Sequence, residues 1–239
     1  MNLTIDIGNT RAKAATFEGD VLVDFMTTDH QLTGLDAWVR RQGCQHGIVS
    51  TTATLSPNTE KVIDALSFDV LRMAWDTPTP VRNHYRTPQT LGPDRLAAIV
   101  GAWTKSPGCN ILVIDCGTCV TYDFVDEGGT YRGGNISPGL EMRLEAMHQQ
   151  TARLPRVHAE GYVPKMGYDT ETALRSGAII GLRNEIEGYI CRFQQEFGSV
   201  LFFLTGGDAK KLGISKEFTI FADDFLVLRG LNCILEYNK

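Results

Sequence analysis

The chain has 239 residues, 43% of them hydrophobic, which is enough for a substantial core in one domain or two small ones. A net charge of −5 without a basic stripe argues against nucleic-acid binding. No apolar run approaches the length of a membrane span, and the opening MNLTIDIG lacks the basic and apolar regions of a signal peptide. Six scattered cysteines fit reduced thiols, so a cytoplasmic α/β protein without membrane attachment is expected.

In chain order, apolar alternation and Gly/Asp punctuation predict strands over Leu3–Asp6, Arg11–Phe17 and Val21–Thr27. LTGLDAWVRRQG follows as a helix, with Thr33 as its cap and Gly43 as its stop. GIVST (47–51) is a short buried strand. SPNTEKVIDAL is a helix capped by Ser56, with Pro57 in the first turn, and DVLRMA (69–74) is a strand. Residues 76–93 carry four prolines and no apolar period, a length of loop that is uncommon unless it is functional or a linker. A helix then begins at Asp94 and runs to Lys105.

The second part restarts the plan. Strands over 111–115, 120–125 and 130–136 lead to the helix GLEMRLEAMHQQT, and a long helix spans about 169–197. The strand VLFFLTGG, the short helix DAKKLG, the strand FTIFA and a helical stretch over 225–237 complete it. Two halves are therefore expected, 1–107 and 108–239, each built as β-β-β-α-β-α-β. This is duplication of a whole half rather than a short solenoid period.

Each half opens on the same acidic hairpin: LTIDIGNTRAKAATF at 3–17 and LVIDCGTCVTYDF at 112–124. One Asp-x-Gly turn is ordinary turn chemistry. Two of them, each heading a β-β-β-α run, favour a functional reading. A carboxylate at the end of a buried strand needs a partner, and a metal ion is one. Gly8 and Gly117 allow tight turns and close approach of a ligand, and successive N–H groups there form an anion-binding concavity. Asn9, Thr10, Thr118 and Thr121 add short donors. Two such hairpins facing across a cleft would hold a polyphosphate and its cations. Arg11 and Lys13 share a strand face and can reach phosphates, though a solvated strand surface is an equal alternative for Arg11. FLTGGDA (203–209) places two glycines between a strand and a short helix, which supports a nucleotide weakly. Neither the G-x-x-x-x-G-K-[ST] loop nor the G-x-G-x-x-G fingerprint is present, which disfavours P-loop and dinucleotide-binding enzymes.

These hairpins resemble those of the acetate-kinase, sugar-kinase and actin superfamily. More narrowly, the chain resembles type III pantothenate kinase in DIGNT (6–10), YRTPQTLGPDR (85–95), DCGTCVT (115–121), GGNISPGL (133–140), TARLP (151–155), GYDTETALRSG (167–177) and TGGDA (205–209). The resemblance implies an actin-like ATPase fold of two ribonuclease-H-like halves. It implies transfer of the γ-phosphate of ATP to pantothenate, the first step of coenzyme A synthesis. It also implies a homodimer that needs magnesium and a monovalent cation, potassium or ammonium. Carried over by motif, Asp6, Ile7, Gly8, Asn9, Thr10, Arg11, Ala12 and Lys13 form the first phosphate loop, Thr118 belongs to the second, and Asp115 helps bind the monovalent cation. Tyr85, Gly92, Pro93, Asp94, Arg95 and Thr170 contact pantothenate, with Asp94 as general base. Cys119 stands where relatives often carry alanine.

Each assignment has a plainer alternative. Aspartate is a preferred helix cap, so Asp94 can simply cap. Arg95 suits a bidentate bond to a substrate carboxylate, against a surface arginine in a first helical turn. Tyr85 covers the substrate or packs in the core. Cys116 and Cys119 form C-x-x-C, but no second ligand pair accompanies them and the context is a hairpin. His84 and His148 are not read as ligands. A sugar kinase of the same fold and a non-catalytic nucleotide-binding relative are the competing functions.

Overall fold

The computed structural model describes residues 1–214 and 217–239. The first sheet contains β1 (Asn2–Ile7), β2 (Ala12–Glu18), β3 (Val21–Thr28), β4 (His46–Thr51) and β5 (Val70–Arg72), in the order β3-β2-β1-β4-β5. β1 pairs antiparallel with β2 and β2 with β3, while β4 runs parallel to β1 and β5 parallel to β4. β1 is central, and its residues 2–5 and 7 are buried whichever face they point to. β3 is an edge strand whose alternate residues are exposed.

The second sheet repeats this plan with β7 (Asn110–Cys116), β8 (Cys119–Val125), β9 (Thr130–Pro138), β10 (Val200–Thr205) and β11 (Ile220–Ala222). Its order is β11-β10-β7-β8-β9, followed by β6 (Arg82–Asn83) at the edge. Read from the hairpin, 9-8-7-10-11 matches 3-2-1-4-5, so the duplicated ribonuclease-H-like fold is present in both sequence order and sheet order.

Two helices lie between the strands of the first half: α1 (Leu35–Gln42) and α2 (Pro57–Asp64). Ser56 caps α2 as expected, its hydroxyl accepting from the Thr59 N–H at 3.2 Å. Thr33 does not cap α1. Gly34 occupies that place, and Thr33 is bound by the Asp29 carboxylate through both its N–H and its hydroxyl. α3 spans Pro93–Lys105, with Gly92 at the N-cap, so the helix starts one residue before Asp94. In the second half, α4 (Leu140–Gln149), α5 (Thr170–Phe197), α6 (Ala209–Leu212) and α7 (Leu226–Tyr237) follow. Asp169 caps α5 in a reciprocal box with Thr172.

The proline-rich segment 76–93 is tied down rather than free. Its Arg82 and Asn83 pair in parallel with Thr130 and Tyr131, and Pro88–Thr90 forms a 3-10 turn. Compact units group residues 1–108, 125–133 and 225–239 in one body and 109–124 and 134–224 in another. The duplication over 1–107 and 108–239 concerns the order of the repeat, while by packing 125–133 and α7 group with the first unit. There Asn232 accepts from the Asn2 side chain at 2.8 Å, anchoring α7 to β1. Each unit has its own apolar core, around Leu3, Ile5 and Ile7 in the first and Leu112, Ile114 and Val120 in the second.

Candidate active site

In the first unit, Asp6 is the penultimate residue of β1, opposite Lys13 of β2 and beside Ser50 of β4. The Ser50 hydroxyl donates to Asp6 Oδ1 at 2.7 Å. The turn closes when the Gly8 N–H donates to the Arg11 carbonyl at 3.2 Å. Asn9, Thr10 and Arg11 are exposed on it. Arg11 therefore stands in the turn, one residue ahead of β2, rather than sharing a strand face with Lys13.

Burial pushes the Asp6 carboxyl up to about 6, and the nearby Asp94 charge adds to the rise. Ser50 and Lys13 oppose it. The coupling to Asp94 places both carboxylates in one electrostatic neighbourhood of the first unit.

Asp94 itself follows Gly92 and Pro93 at the start of α3, and its Oδ1 accepts the Arg95 N–H at 2.8 Å. Gly92 leaves room for this carboxylate: a Cβ would stand 2.5 Å from Asp94 Oδ1 and would push the side chain aside. Asp94 is not the N-cap residue, although its carboxylate takes up one first-turn N–H, that of Arg95. Arg95 is no surface residue, being only 6% exposed. Its guanidinium lies 5.8 Å from the centre of the Tyr85 ring, a cation–π distance. Tyr85 stacks at 6.1 Å on Tyr131, and its N–H is held by Asn83 Oδ1. The strapped loop and the start of α3 thus bring Tyr85, Gly92, Pro93, Asp94 and Arg95 together.

The second unit repeats the hairpin around Asp115 at the end of β7. Its turn closes with the Gly117 N–H donating to the Cys119 carbonyl at 2.9 Å. Asp115 aligns with Thr205 of β10, and Gly206 follows with φ +94°. A Cβ at Gly206 would collide with the Cys116 carbonyl and stand 2.5 Å from Asp115 Oδ1. Gly206 therefore serves first to admit the Asp115 hairpin, while a Cβ at Gly207 would meet nothing within 4 Å. Gly139 packs on the same turn, its N–H donating to the Thr118 carbonyl at 3.1 Å. Thr118 is exposed.

Neither Gly8 nor Gly117 has positive φ, and a Cβ on either would meet nothing closer than 3.5 Å. Their value is open space over the turn, not a left-handed backbone. The Cys116 thiol is buried, and burial together with the Asp115 and Asp208 charges pushes it far up, which keeps it protonated and unsuited to thiolate chemistry. Among the described residues, no group of three or more His, Cys, Asp or Glu side chains is arranged to hold a metal ion. Thr170, at the first position of α5, is exposed in the second unit.

Sequence reasoning missed Ser50. The signal was the strand GIVST, which becomes informative once β4 is placed parallel to β1 with Ser50 in register with Asp6.

The family model for type III pantothenate kinase matches residues 2–192. The chain is 48% identical to type III pantothenate kinase of Phocaeicola vulgatus, covering 100% of this chain and 99% of the relative. It is 50% identical to the enzyme of Bacteroides fragilis with the same coverage. The chain belongs to the type III pantothenate kinase family. As a type III pantothenate kinase it uses ATP to phosphorylate pantothenate, the first step of coenzyme A biosynthesis.

Among solved structures, a conserved Baf-family protein from Campylobacter jejuni superposes with a TM-score of 0.63 at 21% identity, covering 99% of this chain and 98% of that one. The activator of 2-hydroxyisocaproyl-CoA dehydratase from Clostridium difficile gives 0.53 at 12% identity, with 99% and 93% covered. Both agree with the duplicated fold described above. No helix among the described residues is long and apolar enough to cross a membrane.

Proposed function

We propose that Asp94 is the general base for this pantothenate kinase and that Asp6 to Lys13 hold the phosphates of ATP. The observation that carries this reading is the placement of Asp94 in the first turn of α3 next to a buried Arg95 whose guanidinium lies over the Tyr85 ring, and the Asp94 charge that helps raise the Asp6 carboxyl is consistent with it. Phosphoryl transfer requires positioning, charge neutralisation and a carboxylate that orients the nucleophilic hydroxyl. The primary hydroxyl of pantothenate attacks the γ-phosphorus, the bond to the β-phosphate oxygen breaks, and ADP leaves. Asp94 accepts the hydroxyl proton. Arg95 receives the pantothenate carboxylate by a bidentate bond, and Tyr85, Gly92 and Pro93 shape the acceptor site in the first unit, while Thr170 of the second unit is a separate candidate contact for pantothenate. In the first unit the exposed turn residues Asn9 and Thr10 offer donors to phosphate oxygens, and in the second unit Thr118 offers another.

A divalent cation suits Asp6, because a carboxylate forced up to about 6 by burial gains from a hard cationic partner. A magnesium ion held by Asp6 would supply positive charge against the phosphates. Asp115 supplies a hard oxygen for potassium or ammonium. The active form is a cytoplasmic homodimer. Support for association comes from Tyr162, Met166 and Tyr168, which are 68%, 83% and 73% exposed in the segment just before Thr170.

The test is ADP release across a substrate panel, run with magnesium in potassium and in sodium buffer. Pantothenate alone is expected to drive turnover, yielding 4'-phosphopantothenate, and potassium is expected to exceed sodium. Turnover on sugars but not pantothenate overturns the substrate. Equal rates in the two buffers remove the monovalent site.

A further inference from the structure

Ser50 lies on β4, 44 residues from Asp6 in sequence, and is 1% exposed. Its hydroxyl donates to Asp6 Oδ1 at 2.7 Å across two parallel strands. Parallel strands of open α/β sheets present ligands at their carboxyl ends, which is where both residues stand. A second link, from the Thr52 N–H to the Ile7 carbonyl at 3.1 Å, ties the exit of β4 to the exit of β1 through the backbone alone. Six register pairs join the two strands. The backbone is thus held without the Ser50 side chain, and what the hydroxyl adds is a fixed orientation of one carboxylate. An ionised carboxylate has about four acceptor sites, so one serine donor restricts its plane while leaving capacity for another partner. Groups that bind ligating carboxylates from behind in this way commonly tune a site's affinity and rate.

We propose that Ser50 is a positioning residue for phosphoryl transfer, holding the Asp6 carboxylate in the orientation that receives the divalent cation of ATP. The inference rests on the assignment of Asp6 above. The plainer alternative is a buried serine that merely satisfies its own donor. The two differ in what magnesium does for ATP binding.

Calorimetric titration of ATP into the full chain, with magnesium and with EDTA, measures the gain in affinity that magnesium confers. Steady-state assays give kcat and the KM for pantothenate, and thermal melts report folding. In S50A the magnesium gain and kcat are expected to fall on the order of 10-fold to 100-fold, the range for removal of a group supporting a metal ligand. ATP affinity in EDTA and the KM for pantothenate stay at wild-type values. S50T, which keeps the hydroxyl, restores the gain. D6N serves as the reference and loses it. If D6N loses the gain while S50A retains it, Ser50 has no positioning role and the assignment of Asp6 survives. If D6N retains it, the assignment of Asp6 fails and the inference with it. If S50A does not fold, S50C, with a similar shape and a weaker donor, takes its place. An S50C with undiminished magnesium gain overturns the proposal, and a partial loss supports it.

Discussion

Asp94 is the residue at which the capping and catalytic readings separate. Gly92 holds the N-cap of α3, and the bond that Asp94 Oδ1 accepts from the Arg95 N–H can be accepted equally by an asparagine oxygen. Asparagine at 94 keeps the shape but cannot accept a proton. Asp94→Asn is expected to lower kcat by on the order of 10² to 10⁴, the usual contribution of a general base, with an unchanged melting temperature. Steady-state phosphorylation of pantothenate beside a melt of the same sample checks both. Asp6 makes a prediction of the opposite kind. Its carboxyl is raised from 3.8 to about 6 in the folded state, so the folded chain holds this proton more tightly than the unfolded one. The stability linked to that proton is fully present below about pH 4 and is lost as pH rises through about 6. Removing the ionisable group should therefore stabilise the cation-free protein at neutral pH. Asp6→Asn is expected to be more stable than wild type by roughly 1–3 kcal/mol at pH 8 in EDTA, with the difference vanishing near pH 4. Denaturant titrations at the two pH values decide it. A D6N protein less stable than wild type at pH 8 would show that the buried charge is already compensated.

Among the elements, α3 and α7 govern where Asp94 and Arg95 stand. They approach closely because both contact positions are glycine. A Cβ at Gly230 would collide with the Ala97 carbonyl, and one at Gly101 with the Leu226 carbonyl. Both obstacles are backbone, which cannot swing aside as a flexible side chain can. Gly230→Ala is expected to destabilise by about 1–3 kcal/mol, the cost of overpacking a close contact, even though alanine favours helix. Because α3 carries Asp94 and Arg95 in its first turn, the same variant should raise the KM for pantothenate. Melting temperature and KM measured together test this, and an unchanged Tm would show that the helices can part without cost. The strapped segment 76–93 belongs to the same scale. Its β6 pairing and the Tyr85–Tyr131 stack convert a proline-rich loop into a fixed wall for Arg95.

For the molecule as a whole, association is the property that reaches furthest. Tyr162, Met166 and Tyr168 expose large apolar area ahead of Thr170, whose helix is firmly capped by Asp169. Burial of this surface in a homodimer would place Thr170 at an interface. Sedimentation at assay concentrations is expected to show a dimer. Met166→Asp with Tyr168→Asp is expected to give a monomer that still binds ATP yet loses most pantothenate phosphorylation. A fully active monomer, in the wild type or the variant, would remove the dimer from the mechanism.

Local rules determined much of this protein. Alternation and turn chemistry made the two β-β-β-α openings visible, Ser56 announced α2, and the paired Asp-x-Gly turns marked both hairpins, because each signal lies within a few adjacent residues. The motifs YRTPQTLGPDR and TARLP were enough to bring the family resemblance into view. Other features depended on contacts that no local period encodes. Asp6 meets Ser50 only through parallel pairing across 44 residues of chain. The burial of Arg95 depends on where the proline-rich strap lands. The C-terminal helix joins the first unit because Asn232 and Gly230 fit β1 and α3, partners more than a hundred residues away. Side-chain periodicity tells a strand or helix which face to bury. The packed tertiary structure alone decides which distant face it is buried against, and so which carboxylates share a site.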